Sequence, residues 1–300
     1  MKNMIKYTTT GKNFKGMVAT LQALLDECRI TISPTGIDVK MVDSTNVGII
    51  LLELPKQIFS QWEVNEAKVF GLELSRVAQA TNKKNLNNKD SIGVTITTEM
   101  VEKYSHKARV KTEPLRDGER QEYKDVYITA PKDTMILSID GFRRSINLMN
   151  EAEVRKAPKI PEVPFCAEIT MSAARFKKII NRAKAVSDYI VFKVETVGDV
   201  LFFYTEAEST KFSDDKEESE SSISNGCKVT ATKDKVKSLY GLDHLHSIAQ
   251  TIDSKAQIRI KFASDYPVSV EFPICGCELD GKNELGGKGT LLLAPRIESE

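Results

Sequence analysis

The chain has 300 residues and a formal charge of +1, from 43 basic and 42 acidic residues. That balance excludes a polycation, so any affinity for nucleic acid must come from local segregation of charge. No apolar run is long enough to cross a bilayer, no signal-peptide pattern opens the chain, and the five cysteines (28, 166, 227, 275, 277) follow no disulfide framework, so the expectation is a soluble protein of a reducing cytosol.

The first predicted element is a strand over Met4–Thr9. Phe14, Met17, Val18, Leu21 and Leu24 then recur at i, i+3, i+4, i+7 and i+10, one apolar helix face. Two strand-like runs follow, Cys28–Ser33 and Ile37–Val42, around the turn Pro34-Thr35-Gly36. Val47–Leu54 predicts a strand that Pro55 ends or leaves at an edge. A second helix is expected around Val77–Ala80, then an alternating strand over Ile92–Thr97. Glu99–Lys132 breaks the pattern. It is polar and charged, with Pro114 and Asp117-Gly118 as turn signals, and predicts an extended hairpin or mobile loop. Met135, Leu137 and Ile139 restore strand alternation, and Asp140-Gly141 turns it into Phe142–Leu148. Glu151–Phe165, with prolines at 158, 161 and 164, predicts an extended surface connector.

Beyond the connector the chain repeats itself. Phe176, Ile179, Ile180, Ala183 and Val186 reproduce the first helix face at an offset of 162 residues. Two strands follow again, Ile190–Glu195 and Val200–Tyr204, then a helix through Ile248–Thr251 and a strand at Ile258–Phe262. A repeated helix–strands–helix–strands unit implies a duplicated α+β domain. Charge segregates in this half. Residues 175–184 carry five basic residues and no acid, whereas Glu206–Glu220 holds seven acids and two lysines. Ser213–Asn225 and the glycine-rich Cys275–Gly289 are expected to be loops, and Thr290–Ile297 an apolar closing strand.

Four motifs then carry a resemblance. Leu292-Leu293-Ala294-Pro295-Arg296-Ile297-Glu298 resembles the C-terminus of the proliferating cell nuclear antigen (PCNA) family of DNA sliding clamps, in its archaeal form. Gly36-Ile37-Asp38-Val39 running into Val42-Asp43-Ser44, the segment Arg155–Glu162, and Asp265-Tyr266-Pro267-Val268 are similar to further family motifs, in the family's order. The resemblance spans about residues 1–98, 134–212 and 228–298; the 99–132 insertion, the acidic loop and the glycine-rich loop depart from it. It implies a duplicated two-domain DNA-clamp fold. Residues 1–150 and 166–300 would form the two clamp domains, with 151–165 connecting them.

The family closes three such subunits head-to-tail into a ring, with helices lining the hole and antiparallel sheets outside. By position the expected interface edges are Phe142–Leu148 and Ala207–Ser213. The ring encircles double-stranded DNA without sequence specificity, which implies phosphate contacts from Lys15, Arg76, Lys83, Lys84, Lys177, Lys178, Arg182 and Lys184. It tethers clamp loader, DNA polymerase, flap endonuclease and DNA ligase, whose aromatic-anchored peptides would enter a groove at Val42, Asn46, Val47, Pro158, Ile160, Phe165, Tyr266, Pro267, Leu292, Ala294, Pro295 and Ile297. The setting is cytoplasmic and nucleoid-associated in an archaeon, or nuclear in a eukaryote. One subunit of a heterotrimeric or checkpoint-type clamp is the alternative.

No catalytic chemistry competes. Gly281–Thr290 brushes against a phosphate-binding loop, but Gly289 separates Lys288 from Thr290 and a strand follows instead of a helix. Cys275-x-Cys277 and His244-x-His246 lack a second spaced pair for zinc, and His106 has no evident nucleophile or base partner. The expectation is no enzyme, no cofactor and no metal.

Overall fold

A computed structural model describes residues 4–81, 88–109, 123–156, 158–197, 200–208, 218–223, 227–275 and 286–296. The first half runs β1 (Ile5–Thr10), α1 (Gly11–Gln22), β2 (Glu27–Ser33), β3 (Gly36–Val42), β4 (Gly48–Pro55), β5 (Gln61–Glu63), β6 (Lys68–Glu73), α2 (Leu74–Ala80), β7 (Ser91–Arg109), β8 (Tyr123–Ile139) and β9 (Phe142–Asn147). The second runs β10 (Ala167–Ser172), α3 (Ala173–Val186), β11 (Tyr189–Val197), β12 (Val200–Glu208), β13 (Glu218–Ile223), β14 (Lys228–Ala231), β15 (Lys235–Gly241), α4 (Leu242–Thr251), β16 (Gln257–Phe262), β17 (Val268–Ile274) and β18 (Gly287–Leu293).

The strand order shows the duplication. A five-stranded sheet reads β5-β1-β7-β8-β9, and a four-stranded sheet reads β13-β12-β11-β15. The nine-stranded sheet reads β14-β10-β16-β17-β18-β4-β3-β2-β6. Its first five strands are the second-half counterparts of the five-stranded sheet, and its last four are the first-half counterparts of the four-stranded one. The two halves are therefore joined in one sheet by antiparallel pairing of β18 with β4, from Lys288↔Glu53 to Leu293↔Gly48. β9 and β13 occupy the equivalent positions on the other two sheets, and among the described residues both are edges.

The helices form as their periodicity requires. Phe14, Met17, Val18 and Leu21 are buried on α1, and Phe176, Ile179, Ile180 and Ala183 on α3. Thr10 caps α1 through the Asn13 N–H, and Ser172 caps α3 through the Arg175 N–H. Beneath α3 the core is aromatic: Phe192 lies between Phe203, Tyr240 and Phe262 with ring centroids 5.5–6.0 Å apart.

Several sequence expectations need correction. The 99–132 insertion continues β7 and β8 as a ladder that reaches Arg109↔Tyr123, with one bulge at Tyr104/His106. The hairpin reading holds for the described part, and residues 110–122 lie outside it. The predicted interface edge Ala207–Ser213 is wrong: Ala207 pairs with Ser219 of β13, so β12 is an inner strand and β13 is the edge. The same pairing puts a strand inside the expected 213–225 loop. Its serines and glutamates hide a strand because ladder hydrogen bonds need only backbone.

The last strand begins at Gly287, not Thr290, and ends at Leu293. Glycines there do not mark a loop. A Cβ on Gly289 would stand 2.3 Å from the Phe272 ring, and one on Gly287 would stand 2.5 Å from Leu54, so the strand passes where side chains already fill the space. The connector does not start as free extended chain. Glu151–Glu153 form a 3₁₀ turn capped by Asn150, Arg29 pairs with Glu151, and Val154 is buried against Gly71. The turn Asp140-Gly141 is as expected, with φ of 46° and 81°, the left-handed pair that a two-residue hairpin needs.

Candidate nucleic-acid and partner interfaces

Two surfaces arise from this architecture. The first is a layer of helices: α1 packs beside α2, α3 beside α4, and α1 touches α4 across the two halves. Thr20 and Thr251 hydroxyls meet at 3.5 Å on that seam, and Lys12 Nζ reaches Asp253 at 3.5 Å. On α3, Lys178 and Arg182 are exposed and, among the described residues, make no ion pair. Their free charges have the geometry to meet an anion. The other expected cations are more engaged. Lys15 and Lys177 are half-buried, and Lys177 Nζ donates to Ser254 Oγ at 3.4 Å. Arg76 is exposed but holds Glu73 at 2.6 Å.

Lys184 bridges Asp188 at 2.7 Å and Asp243 at 2.8 Å. Hydrogen bonds to these two carboxylates raise its pKa above the usual lysine value. It is therefore neutralised locally and is the weakest member of the set. Lys83 and Lys84 lie outside the described residues. Sequence reasoning missed exposed Lys12 and Lys255, which flank the α1–α4 seam. The Lys12/Lys15 spacing of three was the available signal for the first; Lys255 follows α4 in a loop and carried none.

The second surface gathers at one end of the nine-stranded sheet, where Val268, Leu293 and Gly48 stand in one row across three strands. The loop 43–48 sits there. Asp43 is only 3% exposed, yet its carboxylate organises the loop. It accepts from the N–H groups of Thr45 (3.0 Å), Val47 (2.9 Å) and Gly48 (2.7 Å), from the Thr45 hydroxyl, and from His244 Nε2 (3.1 Å). Burial alone would raise the Asp43 pKa, but the bonds from Thr45, Gly48 and His244 outweigh it and hold the carboxyl at about 2.

Three other segments meet this loop. Ala294 N–H donates to Val47 O at 2.9 Å. Arg155 donates to Asp43 O at 3.2 Å and to Asn46 Oδ1 at 2.6 Å, fastening the start of the connector. His244 comes from the first turn of α4. Asn46 adopts the left-handed φ of 61° that closes the turn.

The structure thus brings Val42, Asn46, Val47, Ala294 and Pro295 together, with Tyr266 and Pro267 in the β16–β17 turn at the same sheet end. Val47, Tyr266, Ile160 and Phe165 are exposed apolar side chains. Pro158, Ile160 and Phe165 run along the connector that Arg155 anchors. Leu292 is buried within the sheet and offers little surface, and Ile297 lies outside the described residues. Sequence reasoning missed Arg155 as a fastener and His244 as a loop ligand.

Of the competing chemistry, Cys277 and residues 281–285 lie outside the described residues. His244 faces Asp43 while His246 faces Gln250, so the two imidazoles do not share a point. Among the described residues no group of three metal-ligating side chains converges, and no helix is long and apolar enough to cross a membrane. Gly287–Thr290, the end of the glycine-rich run, lies in β18.

The comparisons with known proteins agree with this geometry. The family model "Proliferating cell nuclear antigen, N-terminal domain" matches residues 5–104. The DNA polymerase sliding clamp of Methanococcoides burtonii is 27% identical over 307 aligned positions, covering 99% of this chain and 100% of that one. The clamp of Archaeoglobus fulgidus is 26% identical at the same coverage. Among solved structures, A. fulgidus PCNA bound to the C-terminal region of FEN-1 superimposes with a TM-score of 0.70 at 24% identity, covering 99% of this chain and 100% of that chain. PCNA of Thermococcus kodakaraensis gives 0.69 at 20% identity, covering 97% of this chain and all of the other. With its helix layer and duplicated sheets, the chain is similar over 99% of its length to DNA polymerase sliding clamps, and its residues 5–104 match the N-terminal domain of the proliferating cell nuclear antigen family.

Proposed function

We propose that this chain is a processivity clamp that assembles head-to-tail with copies of itself, encircles duplex DNA through its helix layer and tethers partner enzymes at the 43–48 groove. The observation that carries the assembly is the β18–β4 join. The equivalents of these strands, β9 and β13, are left as edges at opposite ends of the repeat. If β9 of one copy pairs with β13 of the next, the intramolecular join is repeated between molecules. Such a contact is heterologous and closes into a ring, which removes the hazard of two bare edges. Three two-domain chains are the closure the family implies.

DNA contacts are assigned first to Lys178 and Arg182, which make no ion pair among the described residues, then to Lys12, Lys15, Lys177 and Arg76. Such contacts read phosphate and carry no base information. The groove at Val47, Tyr266, Ala294, Pro295 and Ile160 takes hydrophobic anchors of a partner peptide. The A. fulgidus structure, with the C-terminal region of FEN-1 bound, supports a flap endonuclease as one partner class. The role is tethering, not catalysis.

Sedimentation over a range of concentration and salt tests the assembly. The expected mass is that of three chains, persisting on dilution. A monomer at every concentration would end the self-sufficient ring and leave a clamp of unlike subunits. The groove is tested with a synthetic peptide carrying two phenylalanine anchors. Ile160→Ala and Pro295→Ala are each expected to weaken it roughly tenfold, the loss of one buried apolar anchor contact of about 1.4 kcal/mol. Wild-type affinity in both variants would remove the groove assignment.

A further inference from the structure

The 43–48 loop would shape the groove, but its own order is borrowed. Within the loop the backbone bonds are two, Asp43 N–H to Gly48 O at 2.9 Å and Asn46 N–H to Asp43 O at 3.2 Å, and Val47 O accepts from Ala294 N–H at 2.9 Å. The N–H groups of Thr45, Val47 and Gly48 converge on one carboxylate, Asp43, and one of its oxygens also takes His244 Nε2 from the other half of the chain. An ionised carboxylate only accepts, so Nε2 carries the proton in this contact. The imidazole also fills the space beside Gly48, where an added Cβ would stand 2.9 Å from His244 Cδ2. The ring thus fixes the carboxylate that fixes Thr45, Val47 and Gly48, and Val47 in turn receives Ala294.

We propose that His244 is a positioning residue for the partner-peptide groove: from the first turn of α4 it sets the pose of the Asp43-centred loop, and through it the affinity for a peptide it need not touch. The inference rests on the groove reading above. Around His244 stand Asp43 from the loop, Asp243 and His246 from its own helix, Lys184 from α3 with Asp188 beyond it, and Arg155 on the Asp43 carbonyl. Lys184 is already shared by Asp188 and Asp243, which leaves Asp43 as the acceptor that His244 holds.

The test uses the full chain and a fluorescent synthetic peptide with two phenylalanine anchors and no histidine or acidic residue. His244→Ala should weaken binding roughly tenfold. His244→Gln should recover most of the affinity, because its amide also donates. Melting is recorded for each variant, so a folding defect is separated from a lost pose. Ile160→Ala and Pro295→Ala serve as controls for the groove itself. If these controls lose binding while His244→Ala binds as wild type, or if His244→Gln binds no better than His244→Ala, the positioning role is overturned and the groove stands. If the controls bind as wild type, the groove reading fails.

Discussion

Replacing Lys178 and Arg182 together by alanine is expected to lower the slope of log affinity for duplex DNA against log salt by about 1.8 for each chain whose α3 meets the duplex, two released counterions at about 0.9 each. The effect should be uniform across DNA sequences, because phosphate contacts carry no base information. These two residues are chosen for the structural reason that both are exposed and unpaired among the described residues, on a helix whose apolar face is fully engaged. Lys184→Ala makes the internal contrast. That cation is already shared by two carboxylates, so its removal should change the slope by less than either neighbour. The measurement is binding of an oligonucleotide duplex by the assembled protein over a range of salt. An unchanged slope in the double variant would remove α3 from the interface.

The second large effect is expected at Asp43. Asp43→Ala leaves three loop N–H groups and His244 without their acceptor, at an expected cost of about 3 kcal/mol in stability. The pH dependence has a definite sign. The folded carboxyl sits at about 2, below its ordinary 3.8, so its stabilising contribution is complete above pH 4 and is lost as pH falls through about 2. That linkage amounts to about 2 kcal/mol in the wild type and should vanish in the variant. Urea unfolding at pH 7 and at pH 2.5 measures both. A variant as stable as wild type at pH 7, with the same acid loss, would show that the loop does not depend on this carboxylate. Because Asp43 also ties the two halves through His244, peptide affinity should fall alongside stability.

Both effects arise from residues whose chemistry is visible in the sequence but whose meaning depends on neighbours. The apolar faces of α1 and α3 were legible because helical spacing alone decides which side chains share a face. The duplication was legible because the same spacing occurs twice at a fixed offset. The basic run 175–184 was legible as a charged stripe, and the resemblance of the closing Leu292–Ile297 motif pointed to the clamp family before any coordinates. Turn chemistry gave Asp140-Gly141, since few residue pairs tolerate two left-handed φ angles.

Tertiary structure decided the rest. The acidic tract gave no hint of β13, because strand pairing there is a matter of backbone bonds supplied by β12. The glycines of 287–289 read as loop, yet Phe272 and Leu54 occupy the space their side chains would need. Which of five basic residues on α3 remains free was set by acids 4 residues away in Asp188 and on another helix in Asp243. The contact between His244 and Asp43 spans 201 positions of chain. The sequence by itself determined the local elements, their repetition and the resemblance to the clamp family, because these follow from short-range periodicity and motif. Only the fold decided which strands are edges, which charges are unpaired among the described residues and which carboxylate holds the 43–48 loop, because each depends on what long-range packing places beside it.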